Sequence, residues 1–231
     1  MRLDVIIPVV NTDLAERLLI ELGQGSSLPS KVIIIDNTPN KDFSYIGDRF
    51  DVQHLESSTG LVNESWNIGI AESTADVISI LNDDIIINDH FIRRVKDGFD
   101  KHPKCSVICP KTLTKNNPQW RKIMSVREEG PSRWTGMGKR EGWAFSIRRS
   151  FLDKIPSIPH DELTIFCGDD WYWYWSYELG YYWLKDLNNV VYHHVGASMT
   201  KTLEDKKKYH LIGKREKKRF CKIWNKLMEE R

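Results

Sequence analysis

Three short apolar runs constrain this chain more than anything else: LDVIIPV (3–9), VIII (32–35) and VISIL (77–81). A strand with one wet face alternates apolar and polar residues, and these do not, so both faces must be covered. Helix-like stretches separate the runs. One opens at Asn11, Thr12 or Asp13 and closes near Gly23 and Gly25; another runs from about Leu61 to Glu72. A weaker strand, Val52 to Leu55, leads to Gly60, and SVICP (106–110) supplies a fifth. Strands alternating with helices predict an α/β fold whose mixed, mainly parallel sheet is flanked by helices. Ligands of such sheets sit beyond the carboxyl ends of the strands. Pro8, Asp36 and the Asn82-Asp83-Asp84 cluster all occupy such ends.

The second half is less regular. Residues 111–141 are polar, carry Gly130, Pro131, Gly136 and Gly138, and read as a long mobile loop. GWAFSIRR, a helix-like SFLDKI, HDELTIFCGDDWYWYWSYELGY and VVYHHVGAS follow, with a last strand-like run from Val190 to Tyr192. Near the C-terminus Phe220, Ile223, Trp224, Leu227 and Met228 recur at helical spacing, which predicts an amphipathic helix.

Charge is unevenly spread. The chain is +2 overall, but from Lys201 onward twelve Lys/Arg face five Asp/Glu, so this tail carries +7 and residues 1–200 carry −5. A basic tail of this kind serves nucleic acid or an anionic membrane surface as a peripheral contact, or is a solvated helix face. No apolar run is long enough to span a bilayer, and Met1-Arg2 leads straight into a strand, which predicts neither a transmembrane segment nor a secretory leader. Cys105, Cys109, Cys167 and Cys221 lack the close paired spacing of a zinc site and read as reduced thiols of a cytoplasmic protein.

Adjacent carboxylates at a strand end repel each other unless a cation or donors compensate. Asp83 or Asp84 offers the hard oxygen ligands that suit Mg²⁺ or Mn²⁺, an ion that typically binds one or two carboxylates together with substrate phosphates. A strand-end turn with a helix cap accounts for the triplet equally well.

The combined pattern resembles the inverting glycosyltransferases of family 2, which have the GT-A fold. VIIPVVN is similar to the family's opening strand, VIIIDNTPN to its second strand, and STGLVNESWNIGIAESTADVISILNDDI to its longest block, ending in the acidic metal motif. GWAFSIRR and DELTIFCGDDW resemble the acceptor-side block, whose terminal acidic pair holds the catalytic base. The likeness covers most of residues 1–198. It implies one catalytic domain over 1–200, with a nucleotide-binding half (about 1–100) and an acceptor-binding half (about 101–200), followed by a basic helical extension over 201–231.

Carried onto these residues, the resemblance implies that Asp36 accepts a hydrogen bond from the nucleotide base, with Pro8 and Asn11 shaping that pocket's floor. An Asx-turn before Pro39 is the other reading of Asp36. Asn67 and Asp83 fall on donor-binding positions, and Asn82, where the family usually has Asp, becomes a ribose contact. Asp84 becomes the metal ligand. One of His193 and His194 completes the metal site, since neighbours on a strand point to opposite faces; a structural pair at a strand end is the alternative. Either Asp169 or Asp170 takes the proton from the acceptor hydroxyl. The ungapped register from Asp161 makes Asp170 the expected base, although the register from Leu179-Gly180-Tyr181 would favour Asp169; either can instead cap the following helix. WYWYWSY alternates like a strand, but the resemblance makes it a helix, with Trp171 and Trp175 on one face and Tyr174 and Tyr177 on another. One aromatic edge is then expected to line the acceptor site.

The expected activity is transfer of a sugar from a UDP- or dTDP-sugar to an acceptor hydroxyl, a glycan or glycan precursor by default. The alternatives are transfer to a modified DNA base and a non-catalytic nucleic-acid-binding protein using residues 201–231. A nucleotidyltransferase would need a Gly-rich basic loop after the first strand, and VVNTDLAERL has none.

Overall fold

The computed structural model describes residues 1–37, 49–57, 59–117, 119, 121, 124, 133–136, 141–195 and 203–230. In chain order they form β1 (Leu3–Val9), α1 (Thr12–Gln24), β2 (Lys31–Asp36), β3 (Asp51–Glu56), α2 (Val62–Glu72), β4 (Val77–Leu81), β5 (Ile85–Ile86) and α3 (Phe91–Lys101). There follow β6 (Cys105–Leu113), β7 (Trp134–Gly136), β8 (Ala144–Arg148), α4 (Arg149–Leu152), α5 (Gly168–Glu178), β9 (Tyr182–His193) and α6 (Leu203–Glu229). The strands make one sheet in the order β3-β2-β1-β4-β8-β6-β9-β5, with β7 also paired to β9.

The apolar runs are buried on both faces, as their composition requires. Val5 and Ile7 of β1 pack with α1 residues such as Leu18 and Leu22, whereas Ile6 faces the other layer with Ile33 and Trp66. Helix α2 lies flush on β1 through Gly69, where a Cβ would stand 2.5 Å from Ile6. The chain turns one way from β1 to β2 and the other way to β4, so the strand order reverses at β1/β4. The β1–β2 ladder continues to Val9, but the β1–β4 ladder stops at Ile6. A crevice opens there, and Pro8 beside it needs no partner from β4.

Strand β8 runs antiparallel between β4 and β6. Its pairing of Ala144 with Leu81 therefore brings the start of β8 to the carboxyl end of β4, where the Asn82 N–H donates to the Trp143 carbonyl at 2.9 Å. The two-residue β5 pairs Ile85 with His193, bringing the end of β9 to the same edge.

Several elements differ from the sequence expectations. The polar stretch 111–141 is not wholly loop: β6 continues to Leu113 and β7 occupies 134–136, while 118, 120, 122–123, 125–132 and 137–140 lie outside the described residues. The turn expected at Pro39 also lies outside them. Strand β9 has twelve residues rather than the short run at Val190–Tyr192. WYWYWSY is helical, within α5, and its aromatics meet the C-terminal helix: Trp175 and Tyr174 pack on Trp224 at 5.2 and 5.0 Å. No described helix is long and apolar enough to cross a membrane.

Candidate active site

The strand ends converge on a cleft of about 400 Å³. Pro8 and Val10 come from β1 and its turn, Asn82, Asp83 and Asp84 from the end of β4, and Gly142 and Trp143 from the approach to β8. The opposite wall is the segment 165–169, with His193 from β9 and Tyr209 from α6.

The acidic pair divides its work. The Asp83 carboxylate accepts the backbone N–H groups of Val10 and Asn11 at 2.8 and 2.6 Å, which ties β4 to the turn after β1 and offsets its burial. Asp84 is different. Its Oδ1 is buried and accepts no hydrogen bond among the described residues, although His193 Nε2 lies 3.3 Å away, within ion-pair reach. His193 is held by the Trp143 ring, stacked on its imidazole at 4.9 Å. An orphaned carboxylate oxygen beside an imidazole nitrogen is a donor set that fits a divalent cation. Among the described residues no third His, Cys, Asp or Glu joins them, so further ligands would come from substrate phosphates and water.

His194 faces away from this pair. Its backbone N–H donates to the Asp84 carbonyl at 3.0 Å, and its ring lies 3.4 Å from Arg17. Burial first, and then the Arg17 guanidinium, lowers its pKa below the ordinary imidazole value.

The 165–169 wall is built by two clamps. Asn63 at the start of α2 donates to the carbonyls of Leu163 and Phe166 at 2.6 and 2.9 Å. From the other side Glu216 of α6, fully buried, accepts the N–H groups of Ile165 and Phe166 at 3.2 and 2.8 Å and the Thr164 hydroxyl. Between the clamps Cys167 takes the left-handed conformation (φ 64°), and α5 starts at Gly168, where a Cβ would stand 2.3 Å from Asn63 Oδ1. This start sets the phase of α5. Asp169 lines the cleft beside Gly142, whereas Asp170, the base expected from the sequence register, does not line it. Asp170 instead hydrogen-bonds the Cys167 thiol, whose pKa is pushed up to about 12 by burial first and by this carboxylate next. A thiol held so high is no nucleophile near neutrality.

The structure thus brings Pro8, Asn82, Asp83, Asp84, Asp169 and His193 into one cleft. Asn11, Asp36, Asn67, Asp170 and His194 lie outside its lining. Asn11 caps α1 through the Leu14 N–H at 3.2 Å. Asp36 is fully buried with its carboxylate 3.1 Å from His54, and the next residue, Asn37, reaches the cleft instead. Asn67 pins the segment after α4 by exchanging hydrogen bonds with the Ile158 backbone at 2.8 and 3.2 Å. Trp171, Tyr174, Trp175 and Tyr177 do not line the cleft; Trp66, Trp143, Phe166 and Tyr209 do. Sequence reading missed Asn63, Trp143, Tyr209 and Glu216. Only Glu216 carried a signal: it is the one acidic residue between 207 and 226.

Solved structures of similar architecture include a fragment of TarS from S. aureus, with a TM-score of 0.62 at 14% identity over 85% of this chain and 61% of that one. A mannosyltransferase from Pyrobaculum calidifontis in complex with GDP-Man and Mn²⁺ gives 0.64 at 13% identity, over 87% of this chain and 58% of that one. GalNAc-T7 with UDP, GalNAc and Mn²⁺ gives 0.65 at 12%, over 89% of this chain and 46% of that one. The chain therefore spans about three fifths or less of the length of these neighbours. Curated proteins give no match. The sequence profile of glycosyl transferase family 2 matches residues 4–157, two thirds of the chain, from the opening strand through the Asn82-Asp83-Asp84 cluster to the segment after α4. The chain belongs to glycosyl transferase family 2.

Proposed function

We propose that this protein transfers a sugar from a nucleotide-diphosphate donor to an acceptor hydroxyl with inversion. The observation that carries the reading is that Asp84 and Asp169, from distant parts of the chain, line one cleft at the carboxyl edge of the parallel strands. Pro8, Val10, Asn37 and Asn82 form the nucleotide end, in the crevice where β1 and β4 part. Asp84 and His193 would hold a divalent ion, Mn²⁺ or Mg²⁺, and such an ion when bound neutralises charge on a leaving diphosphate. The neighbours bound to UDP or GDP-Man with Mn²⁺ support this donor class. A UDP- or dTDP-sugar remains the favoured donor and a glycan the default acceptor.

Asp169 is the base in this reading. It removes the proton from the acceptor hydroxyl, whose oxygen forms a bond to the anomeric carbon as the bond to the diphosphate oxygen breaks. The diphosphate leaves with the electron pair. One displacement from the face opposite the leaving group inverts the anomeric centre. Tyr209 and Phe166 line the same cleft as Asp169 and would offer an acceptor an aromatic surface there. The four unpaired cysteines support a reducing, cytoplasmic setting. A thermal-shift screen of nucleoside diphosphates and their sugars, with and without Mn²⁺ or Mg²⁺, tests the reading. Stabilisation by one nucleotide class only when the cation is present is expected, and no stabilisation by any would overturn it.

A further inference from the structure

The outer face of α6 is more cationic than a solvated helix requires. From residue 207 to 226 it carries nine Lys/Arg, all exposed, while the one acidic residue in that span, Glu216, is buried against the cleft wall. Lys214, Lys218, Lys222 and Lys226 form an unbroken i,i+4 ridge, and Arg215 and Arg219 a second beside it. Like charges at this spacing disfavour the helix, where alternating signs would have stabilised it. Lys226 reaches Glu230 at 3.8 Å, but Lys214, Arg215, Lys218 and Lys222 have no acidic partner among the described residues. A bound polyanion would offset this repulsion.

We infer that this face is a docking surface for a single strand of nucleic acid. The charge density fits. Nineteen helical steps span about 29 Å, so nine cations fall on average about every 3.6 Å along the axis, against one phosphate per about 3.4 Å of a nucleic-acid strand. A bilayer fits less well, because the helix buries its large aromatic residues, Phe220 and Trp224, against α5 and leaves exposed, among its described large hydrophobic residues, Leu211 alone. An aromatic surface also lies close by. The Tyr174 ring packs on Phe220 and Trp224, and Tyr177, one turn further along α5, is 80% exposed, as a base-stacking platform would be. Because α6 also contributes Tyr209 to the cleft, the docked strand is held by an element of the cleft wall.

The test is fluorescence anisotropy of the whole protein with a labelled single strand of about 30 nucleotides between roughly 50 and 200 mM salt. Binding should weaken linearly in log–log form. Lys214→Glu/Lys218→Glu/Lys222→Glu should weaken it at least tenfold and reduce the slope by about 2, three phosphates at roughly 0.7 each. Its circular dichroism and Tm should match the wild type, and the Lys→Gln triple should fall between. Phosphatidylserine–phosphatidylcholine vesicles serve as the competing probe. The inference is overturned if the wild type does not bind the strand, if the charge-reversed triple binds with the wild-type slope, or if vesicles retain the protein and the strand does not.

Discussion

Nε2 of His193, the last residue of β9, and Oδ1 of Asp84, in the turn that leads into β5, stand 3.3 Å apart, and that buried oxygen accepts no hydrogen bond among the described residues. A buried carboxylate oxygen left in this state costs free energy unless something else meets it. Asp84→Asn and His193→Ala should therefore each weaken Mn²⁺-dependent nucleotide binding at least tenfold in calorimetry. His194→Ala, on the other side of the strand, should leave the cation dependence in place.

Glu216 ties the C-terminal helix to the cleft wall. Glu216→Ala leaves the N–H groups of Ile165 and Phe166 and the Thr164 hydroxyl without their acceptor. The expected loss is about 3 kcal/mol, or roughly 6–12 °C in Tm for a chain of this size. Transfer should fall with it, because the same segment leads into Asp169. Glu216→Gln, which keeps an acceptor oxygen, should retain most of the stability. An unchanged Tm in the alanine variant would remove Glu216 from this role.

Gly142 faces Asp169. A Cβ there would stand 3.2 Å from Asp169 Cγ and 3.3 Å from Oδ2, tighter than the carboxylate tolerates without turning aside. Gly142→Ala should lower kcat about tenfold or more and leave the donor Kd within about twofold, since displacement of a reacting group affects the chemical step more than binding. Steady-state kinetics with a separate donor titration separates the two effects.

Glu21 sets a pH dependence of stability. Burial pushes its carboxyl from 4.5 up to about 7, against the opposing Ile87 N–H and Arg17 guanidinium. Below about pH 4.5 the group is protonated in both states and its contribution is complete. Between about pH 4.5 and 7 the unfolded chain releases a proton that the folded one keeps, so stability falls as pH rises, by on the order of 3 kcal/mol. Urea unfolding across this range should show that slope in the wild type, and Glu21→Gln should flatten it.

The central sheet was legible because β1, β2 and β4 are apolar on both faces, a pattern few other environments satisfy. Helix α3 was not, because FIRRVKDGFDK is polar overall and only Phe91, Ile92, Val95 and Phe99 mark its inner stripe. Most of β9 was hidden for a related reason. Its middle holds Asp186, fully buried and 3.4 Å from Arg94, an ion pair between segments that no local pattern reveals. In the cleft, the acidic cluster was visible as a group, but the separate duties of Asp83 and Asp84 depend on where the turn after β1 places two N–H groups. Likewise Asp169 and Asp170 are adjacent in sequence, and which one faces the cleft depends on the left-handed residue that starts α5. Asp36 and Asn67 have residue types suited to a ligand, yet their partners, His54 and the Ile158 backbone, come from elsewhere in the fold.

The most direct measurement compares initial transfer rates of Asp169→Asn and Asp170→Asn, using the donor found by the thermal-shift screen. The account predicts a loss of at least about 10²-fold in Asp169→Asn with donor affinity within about twofold, and near wild-type turnover in Asp170→Asn. Transfer that survives in Asp169→Asn, or is abolished in Asp170→Asn alone, would contradict it.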